Sequence, residues 1–402
     1  MNRRSVSALP VLALALSLLA AGAASAAPVP APGISSARHA TAAEAGIELP
    51  RPAGPYAVGT QTLHLTDRTR RDPWVPSADR ELMVSVHYPA RPGRGTPAAY
   101  MTEEEARLLL EARGLGGIVP ATTVSTTRTH ARTDARPATG RFPLLLLSSG
   151  FSMPRGTLTS LADDLASRGY VVAAVDHAYE SVGTEFPGGR VLTCLACEQV
   201  GTDQEQARAT AGRAADLSFV IDQLTGRQGP ARTVRGRPSL PYALIIDPKR
   251  IGAAGHSIGG ASAAALMARD ARVRAGVNLD GNFFAPLPAG GLGGRPFLMM
   301  GADAMHGPTG EESDWPAAWA RLDGWKRWLT VTGAEHFTFT DMPVLADQLG
   351  LADPAAPLSG QRSWQLTRDY VTAFFDTQLR GITNPLIDGP TADRPEITFQ
   401  RP

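Results

Sequence analysis

Residues 250–270, RIGAAGHSIGGASAAALMARD, set a short β-type run against a small-residue helical run, with Ser257 on the corner between them. At a tight strand-to-helix turn the two arms come so close that a Cβ two residues to either side would collide, which accounts for Gly255 and Gly259. A serine hydroxyl has little nucleophilic power at neutral pH without a base beside it, and such a corner leaves room for one. The N–H of Ile258, at the start of the helix, has no partner inside the helix and faces the place where an oxyanion would form. In a chain with 41 glycines the G-x-S-x-G pattern is weak evidence alone; the strand before it and the helix after it supply the context it requires.

Outward from this corner the pattern is regular. Upstream come PLLLLSS, TLTSLADDLASRG, YVVAAVDH and QEQARATAGRAADLSFVIDQLTG; downstream come VRAGVNLD, PFLMMGAD and RWLTVTG, with residues 315–325 helical between the last two. Continuous apolar strands alternating with helices imply an α/β fold whose central sheet is mostly parallel and covered by helices on both faces. A final helix over 364–379 turns Val371, Phe374 and Phe375 inward and stops at Gly381. Earlier in the chain, strands are expected over 60–65 and 82–88. Thr102 and Glu105 form a capping box that opens a helix ending at Gly114. Residues 121–141 are polar and read as a surface excursion. With no repeat and no internal linker, 56–402 is read as a single domain, and the Ala- and Pro-rich residues 27–55 as a flexible mature N-terminus.

Residues 1–26 read as a secretory signal peptide, with Arg3 and Arg4, an apolar run over 9–19, and Ala24-Ser25-Ala26 as the cleavage site. The apolar run is shorter than the roughly 20 residues of a spanning helix, so the expectation is a secreted protein, with twin-arginine export the minor route. Lys plus Arg (39) nearly balances Asp plus Glu (38), so no basic field points to nucleic acid. The expected partner is a small ester or lipid substrate, with transient contact to a lipid surface as an extension. The oligomeric state has no signature. Cys194 and Cys197, in CLAC, are expected to form a local disulfide in an oxidising compartment, with free thiols the alternative. A zinc site would need two further ligands at suitable spacing, so no metal and no cofactor are expected.

In the α/β-hydrolase order the acid and the histidine follow the serine. After Ser257 only His306 and His336 remain. His336 follows the strand WLTVTG and is the favoured base, while His306, flanked by Gly and Pro, reads as a surface residue. Asp280 and Asp303 each end a strand and are both candidate acids. Asp176 lies upstream of the serine and is expected to brace a loop. The N–H of Phe151, in the loop after PLLLLSS, is the second candidate oxyanion donor, with Ser149 or Ser152 as side-chain support. Phe151, Met153, Phe283 and Phe284 are candidates to line an acyl pocket, the alternative being ordinary core.

The segments GHSIGG, NLDGNFFAPL, GAEHFTFTD, SSGFSM, DLASRGYVVAAVDH and ELMVSVHYPA resemble those of the plasma-type (isoform II) platelet-activating-factor acetylhydrolases and their bacterial lipase and esterase relatives. The resemblance runs from about residue 55 to 380. It implies an α/β-hydrolase fold and a metal-independent serine ester hydrolase. It also implies Ser257 as nucleophile, Asp280 as acid, His336 as base, and Phe151 and Ile258 as oxyanion donors. One departure is Ser149, which stands where the family commonly has His before the glycine of the oxyanion loop. Short-acyl esters, including phospholipid acyl groups, are the substrates the resemblance implies. Two other readings stand beside it. A cutinase-like polyester or triglyceride hydrolase would use Asp303, and a non-catalytic binding module on a hydrolase scaffold would leave Ser257 unreactive.

Overall fold

The structure is a computed structural model that describes residues 46–226, 242–309 and 313–400. The expected signal peptide and residues 27–45 lie outside these. One eleven-stranded sheet organises the rest. Its strands, in chain order, are β1 (Ala57–Arg71), β2 (Asp79–Ala90), β3 (Thr96–Pro97), β4 (Ala131–Thr133), β5 (Phe142–Ser148) and β6 (Val171–His177). A separate hairpin of β7 (Thr184–Phe186) and β8 (Arg190–Leu192) follows. The sheet then resumes with β9 (Ile246–His256), β10 (Val273–Leu279), β11 (Phe297–Ala302), β12 (Lys326–Val331) and β13 (Ile397–Phe399). The helices are α1 (Glu103–Ala112), α2 (Ala121–Ser125), α3 (Thr159–Ser167), α4 (Asp203–Thr225), α5 (Ile258–Arg269), α6 (Asp303–His306), α7 (Trp315–Arg321), α8 (Met342–Leu349) and α9 (Gly360–Arg380).

The strand order is β13-β12-β11-β10-β9-β5-β6-β2-β1-β4-β3, and β6, β5, β9, β10, β11 and β12 run parallel. Every residue of β5 and β6 is buried, as expected for strands covered on both faces. On one face Leu144, Leu146 and Ala173 pack against Leu217 and Val220 of α4 and Ala263 and Leu266 of α5. On the other, Leu145, Leu147 and Val172 meet Leu161 and Leu165 of α3 and Val371 and Phe374 of α9. Each such side chain taken fully out of water contributes about 1.5–3 kcal/mol. This is the mostly parallel α/β sheet expected from the alternation of strands and helices, in the α/β-hydrolase architecture that the resemblance implies.

From β5 the chain steps to β6 on one side and then returns to place β9 on the other. Ligands in such sheets bind beyond the carboxyl ends of the strands at the point where the order reverses. Here that point lies between β5, which runs into Phe151, and β9, which runs into Ser257.

Three expectations are corrected. Residues 121–141 are not a surface excursion: β4 adds to the sheet parallel to β1, and Val124, Thr127, Thr129, Ala131 and Ala135 are buried. Polar composition misled there because a threonine hydroxyl can be buried on a backbone partner, as that of Thr129 is on Ala98 O at 2.8 Å. The segment read as flexible to residue 55 is ordered over its described part: Ile47 and Leu49 are buried, and Leu49 N donates to Arg128 O. The helix expected over 315–325 stops at Arg321. The Thr102–Glu105 capping box is present, and Gly381 caps α9 in the left-handed conformation at φ 69°. Cys194 and Cys197 are joined by a disulfide.

Candidate active site

Ser257 sits between β9 and α5 with φ 57° and ψ −129°, a conformation that costs a non-glycine residue on the order of 1–3 kcal/mol. Close packing enforces it. A Cβ on Gly255 would lie 2.2 Å from the Gly259 carbonyl carbon, and one on Gly259 would lie 2.0 Å from the Ser148 oxygen. The Ser257 N–H is tied to Leu279 O at 2.8 Å, which draws the corner against the end of β10. Asp280 is the next residue on that strand, so the spacing from elbow helix to strand brings the carboxylate to the serine's edge of the sheet.

Asp280 is buried, and its two oxygens divide their work. Oδ2 accepts from His336 Nδ1 at 2.6 Å, and Oδ1 accepts from the Ala302 N–H at 2.6 Å. His336 heads the short 3₁₀ turn after β12, and its side chain is 34% exposed. With Nδ1–H donated to the carboxylate, Nε2 keeps its lone pair. His256 lies beneath, rings 4.6 Å apart, and donates Nε2–H to the His336 carbonyl at 2.7 Å. Burial, with His336 nearby as a lesser cause, pulls the His256 imidazole down to about 3, so this brace stays uncharged.

The loop after β5 completes the site. Ser149 Oγ donates to Met153 O at 2.8 Å and closes the loop on itself, while Ser152 is anchored through its backbone N–H to Glu180 O. Asp176 braces the far end: Oδ1 accepts from the Arg155 N–H at 2.6 Å, and Oδ2 forms an ion pair with the Arg155 guanidinium. Among the described residues the Phe151 N–H has no backbone acceptor, and the Ile258 N–H opens α5.

Some residues fall elsewhere than expected. Asp303, the alternative acid, is exposed at the start of α6 and, among the described residues, has no hydrogen bond or ion pair with either histidine. His306 is not a surface residue: it is 2% exposed, stacked on Trp315 at 4.3 Å, with Nε2 3.7 Å from Asp280 Oδ1. Its Gly and Pro neighbours suggested exposure, and the covering tryptophan comes from α7. Phe283 belongs to the core against Phe297, whereas Phe284 is half-buried at the surface. Met153 lies in an apolar cluster with Leu109 and Leu110 of α1, against which Phe337 packs.

A second serine–histidine–aspartate set lies beneath the loop. Ser148 Oγ is 3.0 Å from His177 Nε2, and His177 Nδ1 is 2.8 Å from Asp216 Oδ2. All three are buried, and Asp216 is held by Arg80 and Arg70. Burial opposes its ionisation, but the Arg80 guanidinium and His177 hold the carboxyl far below the usual range. Arg213 extends the network to Ser149 O at 2.6 Å. A cavity of about 370 Å³ opens at the start of α1, lined among others by Ser85, His87, Glu105 and Arg155. It includes none of Ser257, Asp280 and His336.

The chain as a whole is similar to known ester hydrolases. The profile of platelet-activating factor acetylhydrolase, isoform II, matches residues 41–187. A solved ferulic acid esterase from Streptomyces cinnamoneus is 45% identical and superposes with a TM-score of 0.76, covering 89% of this chain and all of that one. A probable 1-alkyl-2-acetylglycerophosphocholine esterase of Arthroderma benhamiae is 29% identical over 87% of this chain and 93% of its own. The platelet-activating factor acetylhydrolase of Bos taurus is 26% identical over 73% of this chain and 68% of its own.

Proposed function

The chain belongs to the platelet-activating factor acetylhydrolase, isoform II, family and is a carboxylic ester hydrolase, and we propose that it cleaves short-acyl esters with Ser257 as nucleophile, His336 as base and Asp280 as acid. The observation that carries this reading is the 2.6 Å bond from His336 Nδ1 to Asp280 Oδ2, which leaves His336 Nε2 to accept a proton at the edge of the sheet that carries the strained Ser257 corner.

His336 Nε2 takes the Ser257 proton as Oγ attacks the ester carbonyl, and the Phe151 and Ile258 N–H groups hold the oxyanion. Collapse breaks the ester C–O bond, and the imidazolium returns its proton to the leaving alcohol. Water, deprotonated by the same nitrogen, then attacks the acyl-enzyme and frees the acid and the serine. Asp280 fixes the tautomer and stabilises the imidazolium. Phe284 flanks the acyl group. The chain acts outside the cell after removal of residues 1–26, on small esters or at a lipid surface.

The 45% identity to a ferulic acid esterase favours a second reading, in which the acyl group is an aromatic hydroxycinnamate. A hydrolysis panel of p-nitrophenyl esters from two to sixteen carbons, short-acyl phosphatidylcholine, methyl ferulate and a polyester film separates these readings. Turnover is expected to fall steeply as the acyl chain lengthens. A preference for methyl ferulate would establish the second reading, and polyester as the preferred substrate would favour the cutinase-like one. Failure of a fluorophosphonate to label Ser257 would leave only a binding module.

A further inference from the structure

Guanidinium groups buried in this protein have carboxylate or carbonyl partners. Arg80 is bonded to Asp72, Glu180 and Asp216, Arg213 to Glu180, Arg155 to Asp176 and Glu105, and Arg295 to the carbonyls of Leu292, Asp270 and Val273. Arg113 is different. Half-buried at the end of α1, it has no carboxylate within ion-pair distance among the described residues. Its Nη2 lies against Met153 Sδ at 2.6 Å, a weak acceptor, and its Nε is buried without a partner. The guanidinium lies 4.3 Å over the Phe337 ring. Burial pulls its pKa down with no opposing charge, though an arginine remains protonated in any ordinary buffer.

Its two contacts locate it. Met153 ends the loop that carries Phe151, and Phe337 follows His336. Arg113 therefore bridges the oxyanion loop and the histidine loop. Because His336 returns its proton to the departing alcohol, the Phe337 side is where the leaving group passes. We propose that Arg113 is a specificity-determining residue that binds an anionic group, carboxylate or phosphate, on the alcohol portion of the ester. The planar guanidinium still has donors to offer, and a carboxylate or phosphate accepts two of them in parallel. Phe337 holds the plane in place in advance, so little ordering is required on binding.

The proposal rests on Ser257 being the nucleophile, and its test keeps the two apart. Three acetates with the same acyl group serve as probes: 4-acetoxybenzoate, 4-acetoxyphenyl phosphate and the neutral methyl 4-acetoxybenzoate. They are assayed on the parent, Arg113→Gln, Arg113→Lys and Ser257→Ala. The expected result in Arg113→Gln is a drop of about tenfold or more in kcat/KM for an anionic ester relative to the neutral one, carried by KM and partly restored in Arg113→Lys. The anionic probe that loses more identifies carboxylate or phosphate as the preferred group. An unchanged ratio, or equal loss on all three esters, overturns the proposal. Persistent hydrolysis of the neutral ester by Ser257→Ala would instead overturn the nucleophile.

Discussion

Asp280 and His336 are bonded at the edge of the sheet that carries the Ser257 corner, whereas Ser148, His177 and Asp216 form a serine–histidine–aspartate set inside the sheet. The two serines stand at the ends of neighbouring strands, with Ser148 in register with Gly255. The histidine–carboxylate bonds are nearly alike, 2.6 and 2.8 Å. What differs is the surroundings. His336 is 34% exposed, while His177 is 1% exposed and its aspartate is shared with Arg80 and Arg70. Burial, with Arg213 as a further cause, lowers the His177 pKa, and no ester can reach Ser148. The inner set is a brace: through Arg213 it holds the Ser149 carbonyl and hence the oxyanion loop. A constellation of residue types therefore does not identify a catalytic site; access to solvent and vacant donors do.

The strongest way to break this comparison is to remove each serine in turn. Ser257→Ala should lose on the order of 10⁶ in kcat if the three outer residues act as a unit, whereas Ser148→Ala should stay within about tenfold of the parent. Ester hydrolysis rates of the two folded variants decide the matter, and the reverse ranking would move the active site inward.

The carboxylates sharpen the contrast because they should fail in different assays. Asp280→Asn should reduce the rate by about 10⁴ with a folded enzyme, as expected for a lost tautomer restraint. Asp216→Ala should instead cost about 3–5 kcal/mol of stability by stranding buried guanidinium charge. Denaturant unfolding run beside the kinetics would expose an error, which would appear as a rate loss in Asp216→Ala larger than its unfolded fraction explains.

The smallest expected effect concerns Asp341, buried like Asp216 but with no guanidinium in ion-pair distance among the described residues. It accepts from Ser160 and ties the histidine loop to the start of α3, and burial pushes its carboxyl up to about 7 from an ordinary 3.8. With the folded value raised, its stabilising contribution is present below pH 3.8 and is lost as pH rises through about 7. Melting temperatures at pH 5 and pH 8 should therefore differ more for the parent than for Asp341→Asn. Identical pH slopes would show that the carboxyl is ionised throughout.

What the sequence by itself determined is whatever depends on near neighbours. The elbow was legible because Gly255 and Gly259 act through contacts two residues from Ser257. The strands were legible because residues buried on both faces must be apolar in continuous runs, and the capping box because Thr102 and Glu105 satisfy each other locally. Asp280 stood at a strand end but so did Asp303, and local pattern could not choose between them. Only the tertiary structure decided that, because His336 arrives from a distant loop and meets one carboxylate. The same holds for His306 under Trp315, for the polar residues 121–141 that extend the sheet, and for Arg113 over Phe337. Each depends on what packs against a side chain from elsewhere in the chain, and burial of that kind leaves no periodicity for a linear reading to detect.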